Sequence, residues 1–274
     1  MKYLGRTLLF LICLVVPIHA NADDWDKYIQ IMDRFYNLDK QEFKTISCNI
    51  EVPLTINQVK QMKTQFEPMK DNIELKENLK DFSLTYSKNG ELNINYPSID
   101  IKTISEKGMA DPAKVKEGIE ITKTGFKMQM EGVGRQLQSF FEAFTTPKKG
   151  TLKIKKIKED KTTYTLEYEK ENDTFTETYF KNQLKVKQKS KNGDEISSVE
   201  NYKNIANNKL LLTDAQVVMK GASSGNMEMN VTISYEKIKD VIFPSHIESQ
   251  FKQNIQTIKQ EGQIDIYLKN CILR

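Results

Sequence analysis

Leu210 to Gln250 reads LLLTDAQVVMKGASSGNMEMNVTISYEKIKDVIFPSHIESQ. Within it Met227, Met229, Val231, Ile233 and Tyr235 alternate with Glu228, Asn230, Thr232 and Ser234. A period of two places the first set on one face of a strand and the second set on the other. The segment opens with a continuous apolar run, the mark of a better buried, central strand. Gly221 to Gly225 is small and polar and reads as a turn. Pro244 marks a strand start or a bulge, because proline cannot donate to a ladder.

The same pattern extends in both directions. Downstream, Ile264, Ile266 and Leu268 alternate up to Cys271. Upstream lie Leu152 with Ile154, then Tyr164, Leu166 and Tyr168, then Phe175 and Tyr179, Leu184 and Val186, and Ile196. Asn182 and Asn192-Gly193 fall at the turns. Ile46, Cys48, Ile50 and Val52 share one face of another strand. Phe82, Leu84 and Tyr86 precede Asn89-Gly90, and Leu92, Ile94 and Tyr96 follow it. Asn-Gly between two period-two runs is a strong hairpin signal, because both turn positions need positive φ. About eleven to thirteen strands joined by short turns make an antiparallel meander. The expected fold class is mainly β (α+β), a strongly curved sheet forming an incomplete, half-open barrel, with about three helices covering it.

Those helices are all expected before Gly150. Trp25, Tyr28, Ile29, Met32, Phe35 and Tyr36 recur at helical spacing and predict a helix over 24–38. Thr55 with Gln58 resembles a capping box for a helix that Pro68 ends. Leu137, Phe140, Phe141 and Phe144 predict a helix over 133–145. Pro97 to Ala113 reads as a polar connection. Between them Ile119 with Ile121, and Phe126 with Met128 and Met130, alternate around Gly125 and suggest a hairpin; a helix starting at Pro112 is the competing reading.

The first 22 residues have the layout of a secretory signal peptide: Lys2 and Arg6, an apolar run from Leu8 to Pro17, and Ala20-Asn21-Ala22 for cleavage after Ala22. The run is too short for a membrane span. A lipoprotein signal using Cys13 is the rival, but Ile12 is too large for a lipid-attachment box. Residues 23–274 are expected to form one domain, periplasmic and monomeric. The formal net charge of +4 comes from lysines interspersed with Glu and Asp. No strong field therefore points to nucleic acid. Export would leave Cys48 and Cys271 in an oxidising compartment, where they pair or remain buried thiols. A disulfide closing so long a loop would stabilise the fold by roughly 5 kcal/mol in the chain-entropy model.

Little in the sequence carries chemistry. His246 is the one histidine after residue 22, so schemes needing two histidines fall away. It reads as a surface or edge-strand side chain. There is no phosphate-binding glycine loop, no CxxC and no zinc spacing, and nothing singles out a pair of carboxylates. No catalytic residue, metal or cofactor is expected, and the protein reads as a non-enzyme. The densest apolar cluster is Phe126, Met128, Met130, Leu137, Phe140, Phe141 and Phe144. These side chains either fill a core or line a cavity or lid for an apolar ligand, to which Met and Phe adapt well.

The signal peptide, the leading helix, the meander and ISYEKIKDVIFPSHIESQ together resemble the periplasmic lipoprotein-carrier (LolA-like) superfamily. Ile242-Phe243-Pro244-Ser245-His246-Ile247 matches its late strand, turn, apolar residue, proline and strand. The resemblance covers most of the chain in layout and this segment in motif. It implies a half-barrel with a helical lid and a cavity for acyl chains of a lipoprotein or lipid. Such carriers latch the lid with an arginine on a strand; Arg34, Arg135 and Arg274 lie outside the strand interiors read above. The function expected is non-enzymatic binding of acyl chains in outer-membrane biogenesis, with envelope membrane proteins as further partners. The alternative is an envelope structural or interaction module with a filled core, binding its partner through a sheet edge or loop.

Overall fold

Alternation becomes strand where it is longest and least interrupted. A computed structural model describes residues 22–221, 225–255 and 258–274. In chain order the elements are α1 (Ala22–Met32), β1 (Thr45–Glu51), α2 (Pro53–Phe66), β2 (Ile73–Asn78), β3 (Ser83–Ser87), β4 (Leu92–Asn95), β5 (Ser98–Thr103) and α3 (Pro112–Glu142). Then follow β6 (Lys153–Glu159), β7 (Tyr164–Lys170), β8 (Asp173–Tyr179), β9 (Gln183–Lys189), β10 (Glu195–Asn204), β11 (Leu210–Gly221), β12 (Gly225–Ile238), β13 (Val241–Ile255) and β14 (Ile258–Leu273).

Among the described residues, twelve strands form one open antiparallel sheet, ordered β4-β3-β1-β14-β13-β12-β11-β10-β9-β8-β7-β6. From β6 to β14 the chain runs as a simple meander. The first strands then join its far end, with β1 pairing along β14. In β12 the set Met227 to Tyr235 is half-buried or buried and its alternating partners are exposed. Pro244 sits at a bulge inside β13, where Tyr235 faces Pro244 but Ser234 faces His246. Gly90 and Gly193 both have positive φ at their turns. The signal-peptide segment up to Asn21 and residues 222–224, where a loop or wide turn is expected, lie outside the described residues.

The three helices lie against two apolar clusters. The larger one joins α2 and α3 to β1, β3 and β11–β14, with Ile46, Leu84, Leu137, Phe141, Phe243 and Ile266 at its centre. The smaller joins α1 to β6–β10, through Tyr28, Ile31, Phe35, Leu166, Tyr168, Tyr179 and Leu184.

Several expectations are corrected. The hairpin around Gly125 is instead the interior of a 31-residue helix, α3. Asp111 caps it by accepting from the Lys114 backbone N–H at 3.1 Å, and Pro112 fills the first turn. Its buried set, Ile119, Phe126, Met130, Val133, Leu137 and Phe141, follows helical spacing. The Pro97–Ala113 connection contains β5, which pairs with β2 in a separate two-stranded ribbon. Ile73 and Ile101 of that ribbon bury against Ile119 of α3. Helix α1 stops at Met32 rather than Leu38, because the chain beyond it pairs elsewhere. The Tyr36 N–H donates to the Leu210 carbonyl, the Leu210 N–H to the Arg34 carbonyl, and the Leu38 N–H to the Phe144 carbonyl. Thr55 is not a cap: α2 begins at Pro53 after Val52, and the buried Thr55 hydroxyl points to Met130 Sδ at 3.8 Å.

Candidate ligand-binding cavity

The seven apolar residues singled out in the sequence are only partly brought together. Phe126, Met130, Leu137, Phe141 and Phe144 are buried in the larger cluster, and Phe140 packs against it. Met128 is 59 % exposed. Two residues from both Phe126 and Met130, it falls on the opposite face of a 3.6-residue helix. None of the seven lines the cavity between α1 and strands β7–β10.

That cavity, of about 500 Å³, lies over the other half of the sheet and is half open. Tyr28 and Met32 of α1 and the following Phe35 form one wall. Tyr168 of β7, Tyr179 of β8, Leu184 and Val186 of β9, and Tyr202 of β10 form the opposite one. The rim consists of the Asn89-Gly90 turn, Glu142 and the segment from Thr145 to Lys148, with Lys170 and Glu171 across from them. Phe35 stands edge-on to Tyr202 at 4.8 Å between ring centroids and tilted to Tyr179 at 5.8 Å. The rim is held by the Tyr86 hydroxyl, 3.0 Å from Thr145 Oγ1.

Two inward positions of this wall are glutamates. Period two puts Glu177 on the same face of β8 as Phe175 and Tyr179, and Glu200 on the same face of β10 as Ser198 and Tyr202. Tyr168 Oη donates to Glu177 Oε1 at 2.7 Å, and the Tyr179 hydroxyl donates to the other oxygen. Tyr202 Oη donates to Glu200 Oε2 at 2.5 Å, with Ser198 Oγ 3.3 Å from Oε1. Both carboxylates are sunk deep among protein atoms yet keep surface toward the cavity. Burial raises both above the usual carboxylate range, and the tyrosine and serine donors only partly offset it; the charge of Glu200 raises Glu177 further. Burial likewise raises Tyr28, Tyr168, Tyr179 and Tyr202, with the Glu177 charge a further cause in each. Among the described residues no cation is a cause of either shift. Holding an unpaired carboxylate out of water costs several kcal/mol, so an apolar residue would serve packing better at both positions.

The raised pKa values make a pH prediction. A glutamate whose folded pKa exceeds its unfolded one binds more protons in the native state. Stability then falls as pH rises through the window between the two values. The melting temperature of the unliganded protein should therefore drop more between about pH 5 and 8 than that of a Glu177→Gln, Glu200→Gln variant. Parallel profiles would mean that the two carboxyls do not titrate as buried groups.

Outside the cavity, His246 Nε2 lies 2.8 Å from Asp265 Oδ1 and its ring stacks on Tyr267 at 4.2 Å. It belongs to β13, an internal strand, which corrects the edge-strand expectation. Among the described residues no group of three or more His, Cys, Asp or Glu could hold a metal ion, and no helix is long and apolar enough to cross a membrane. Cys48 and Cys271 are joined in a disulfide.

Compared with known protein families, with characterised proteins and with solved structures, the chain matches none.

Proposed function

We propose that the protein is a periplasmic, non-enzymatic binding protein of half-barrel type, which holds an acyl chain of a lipid or lipoprotein between α1 and the β7–β10 part of the sheet. The observation that carries this reading is the half-open cavity of about 500 Å³ on the helix-covered face. Its volume lies within the roughly 300–1,000 Å³ of small-molecule pockets. Its walls are mainly aromatic and aliphatic, so an apolar chain gains about 25 cal/mol per Å² removed from water. The disulfide fits an exported protein. The protein acts as a monomer, takes its cargo from or passes it to envelope membrane proteins, and does not bind nucleic acid.

Two features weigh against a module that docks through a sheet edge. Edge strand β6, KIKKIKE, carries Lys153, Lys155, Lys156 and Lys158 and a bulge between Ile154 and Lys156. The other edge, β4, has 4 residues. Lysines, bulges and shortness are the devices that keep edges from pairing.

Val186→Trp would fill the cavity from β9. Purified from a periplasm, the wild type should carry extractable lipid or acylated peptide, and should take up a fluorescent fatty-acyl probe. The variant should melt like the wild type and bind the probe at least about tenfold more weakly. Equal binding by a folded variant, or a bare wild type that takes up no probe, would overturn the reading.

A further inference from the structure

We propose that the cavity recognises the ammonium group of an amphiphilic ligand, seated between the carboxylates of Glu177 and Glu200 and the rings that surround them. This rests on the acyl-holding reading and names the polar end of the ligand.

Four observations lead here. Glu177 and Glu200 occupy positions that the strand pattern reserves for apolar side chains, on a face where the neighbouring strands place Leu166, Leu184 and Val186. Their hydrogen-bond donors are hydroxyls, which satisfy lone pairs and bring no positive charge. Among the described residues neither forms an ion pair, although 41 lysines and arginines are present in the chain. The carboxylates open onto a cavity with room for a guest, and the rings of Tyr28, Phe35, Tyr179 and Tyr202 line it. Aromatic faces and desolvated carboxylates together are what a poorly hydrated organic cation seeks, since each attracts positive charge more strongly out of water.

The mouth is mixed in charge. Lys148 and Lys170 line it, with Lys170 paired to Glu142 at 3.7 Å. Glu142 and Glu171 stand beside them, so the net negative charge lies at depth, where it favours an ammonium group. Two sources share that chemistry: an aminophospholipid head, and the free N-terminal amine of a diacylated peptide.

Binding an ammonium group requires ionised carboxylates. Affinity should therefore increase as pH rises from about 5 to 7, below the range in which an α-amine gives up its own proton, with protons released on binding. The groups facing the carboxylates are Tyr28 from α1, Tyr168 from β7, Tyr179 from β8 and Tyr202 from β10, with Glu142, Lys148, Lys170 and Glu171 at the rim.

The test uses the exported chain, Asp23–Arg274, and titration calorimetry below the micellar limit of each ligand. One arm compares lysophosphatidylethanolamine with lysophosphatidylglycerol of the same acyl chain. The other compares a diacylated cysteinyl peptide bearing a free amine with its N-acetylated form. In one arm at least, the amine ligand should bind about tenfold more tightly or better. Glu177→Gln with Glu200→Gln should abolish that preference, so that the amine-bearing and amine-free ligands of each arm bind alike. The arm that discriminates identifies the source. Should the double variant fail to fold, the wild-type pH profile decides: only the amine ligand should tighten with rising pH. Equal binding within both arms overturns the ammonium site while the acyl-holding reading stands. Binding of no ligand in either arm overturns both.

Discussion

Replacing Phe141 with alanine is expected to cost 3–5 kcal/mol of unfolding free energy, and to lower the melting temperature by roughly 6–20 °C. Phe141 is 1 % exposed, near the end of α3. Its ring stacks on Tyr86 of β3 at 5.2 Å, meets Phe243 of β13 at 5.5 Å and stands edge-on to Phe140 at 5.6 Å. The side chain thus ties the helix to two strands that lie on opposite sides of β1 and β14. Alanine would leave a cavity lined by rings that cannot all close on it. Met128→Ala, on the exposed side of the same helix, should stay within about 0.5 kcal/mol of wild type. Urea unfolding of both variants checks the pair. A cost below about 1 kcal/mol for Phe141→Ala would mean that α3 is not seated on the sheet as described. The consequence reaches the cavity, because the rim residues Glu142, Thr145 and Thr146 follow Phe141 directly.

What was legible in the sequence was the part of the fold that local pattern determines. β12 follows from five alternating residues, and the β3–β4 hairpin from Asn89-Gly90, because a period of two and a positive-φ turn are properties of a few neighbouring residues. The hairpin reading around Gly125 fails for a physical reason, and the competing helix from Pro112 holds. Phe126 and Met130 are four apart, a spacing that satisfies both a helical turn and two strand steps. Met128, between them, completed a false alternation. Gly125 looked like a turn, yet it sits in an exposed helical position where an added Cβ would meet nothing within 4 Å. β2 and β5 were missed because each carries few apolar residues; each is a strand by virtue of the other and of Ile119.

The candidate site was half legible. Glu177 lies midway between Phe175 and Tyr179, and Glu200 two residues before Tyr202. A carboxylate on the apolar face of a strand was there to be read in both cases. No local pattern brings β8, β10 and α1 around one cavity; that follows from sheet order and from the exit of the chain after Met32.

Removing the disulfide is expected to have the other large effect. Cys48→Ala with Cys271→Ala should lower unfolding free energy by roughly 5 kcal/mol, the chain-entropy value for so long a loop. The two residues are 223 apart in sequence, with Cα atoms at 4.1 Å. They lie on β1 and β14, the one junction of the large sheet between strands distant in sequence. Within the rest of that sheet, short turns bring most partners together at small entropic cost. At β1–β14 nearly the whole chain must be traversed before pairing begins, so a covalent link there restricts the unfolded ensemble most. A double alanine is the proper comparison, since a single replacement would leave a lone thiol. Reductant under denaturing conditions should bring the wild type down to the variant's stability and leave the variant unchanged. In the native protein Cys48 is 2 % exposed and Cys271 half-buried, so a reductant must attack from the Cys271 side. A difference below about 1 kcal/mol would show that the unfolded chain already holds β1 near β14 without the bond. In that event the register between them, with its bulge between Ser47 and Asn49, would be what closes the sheet.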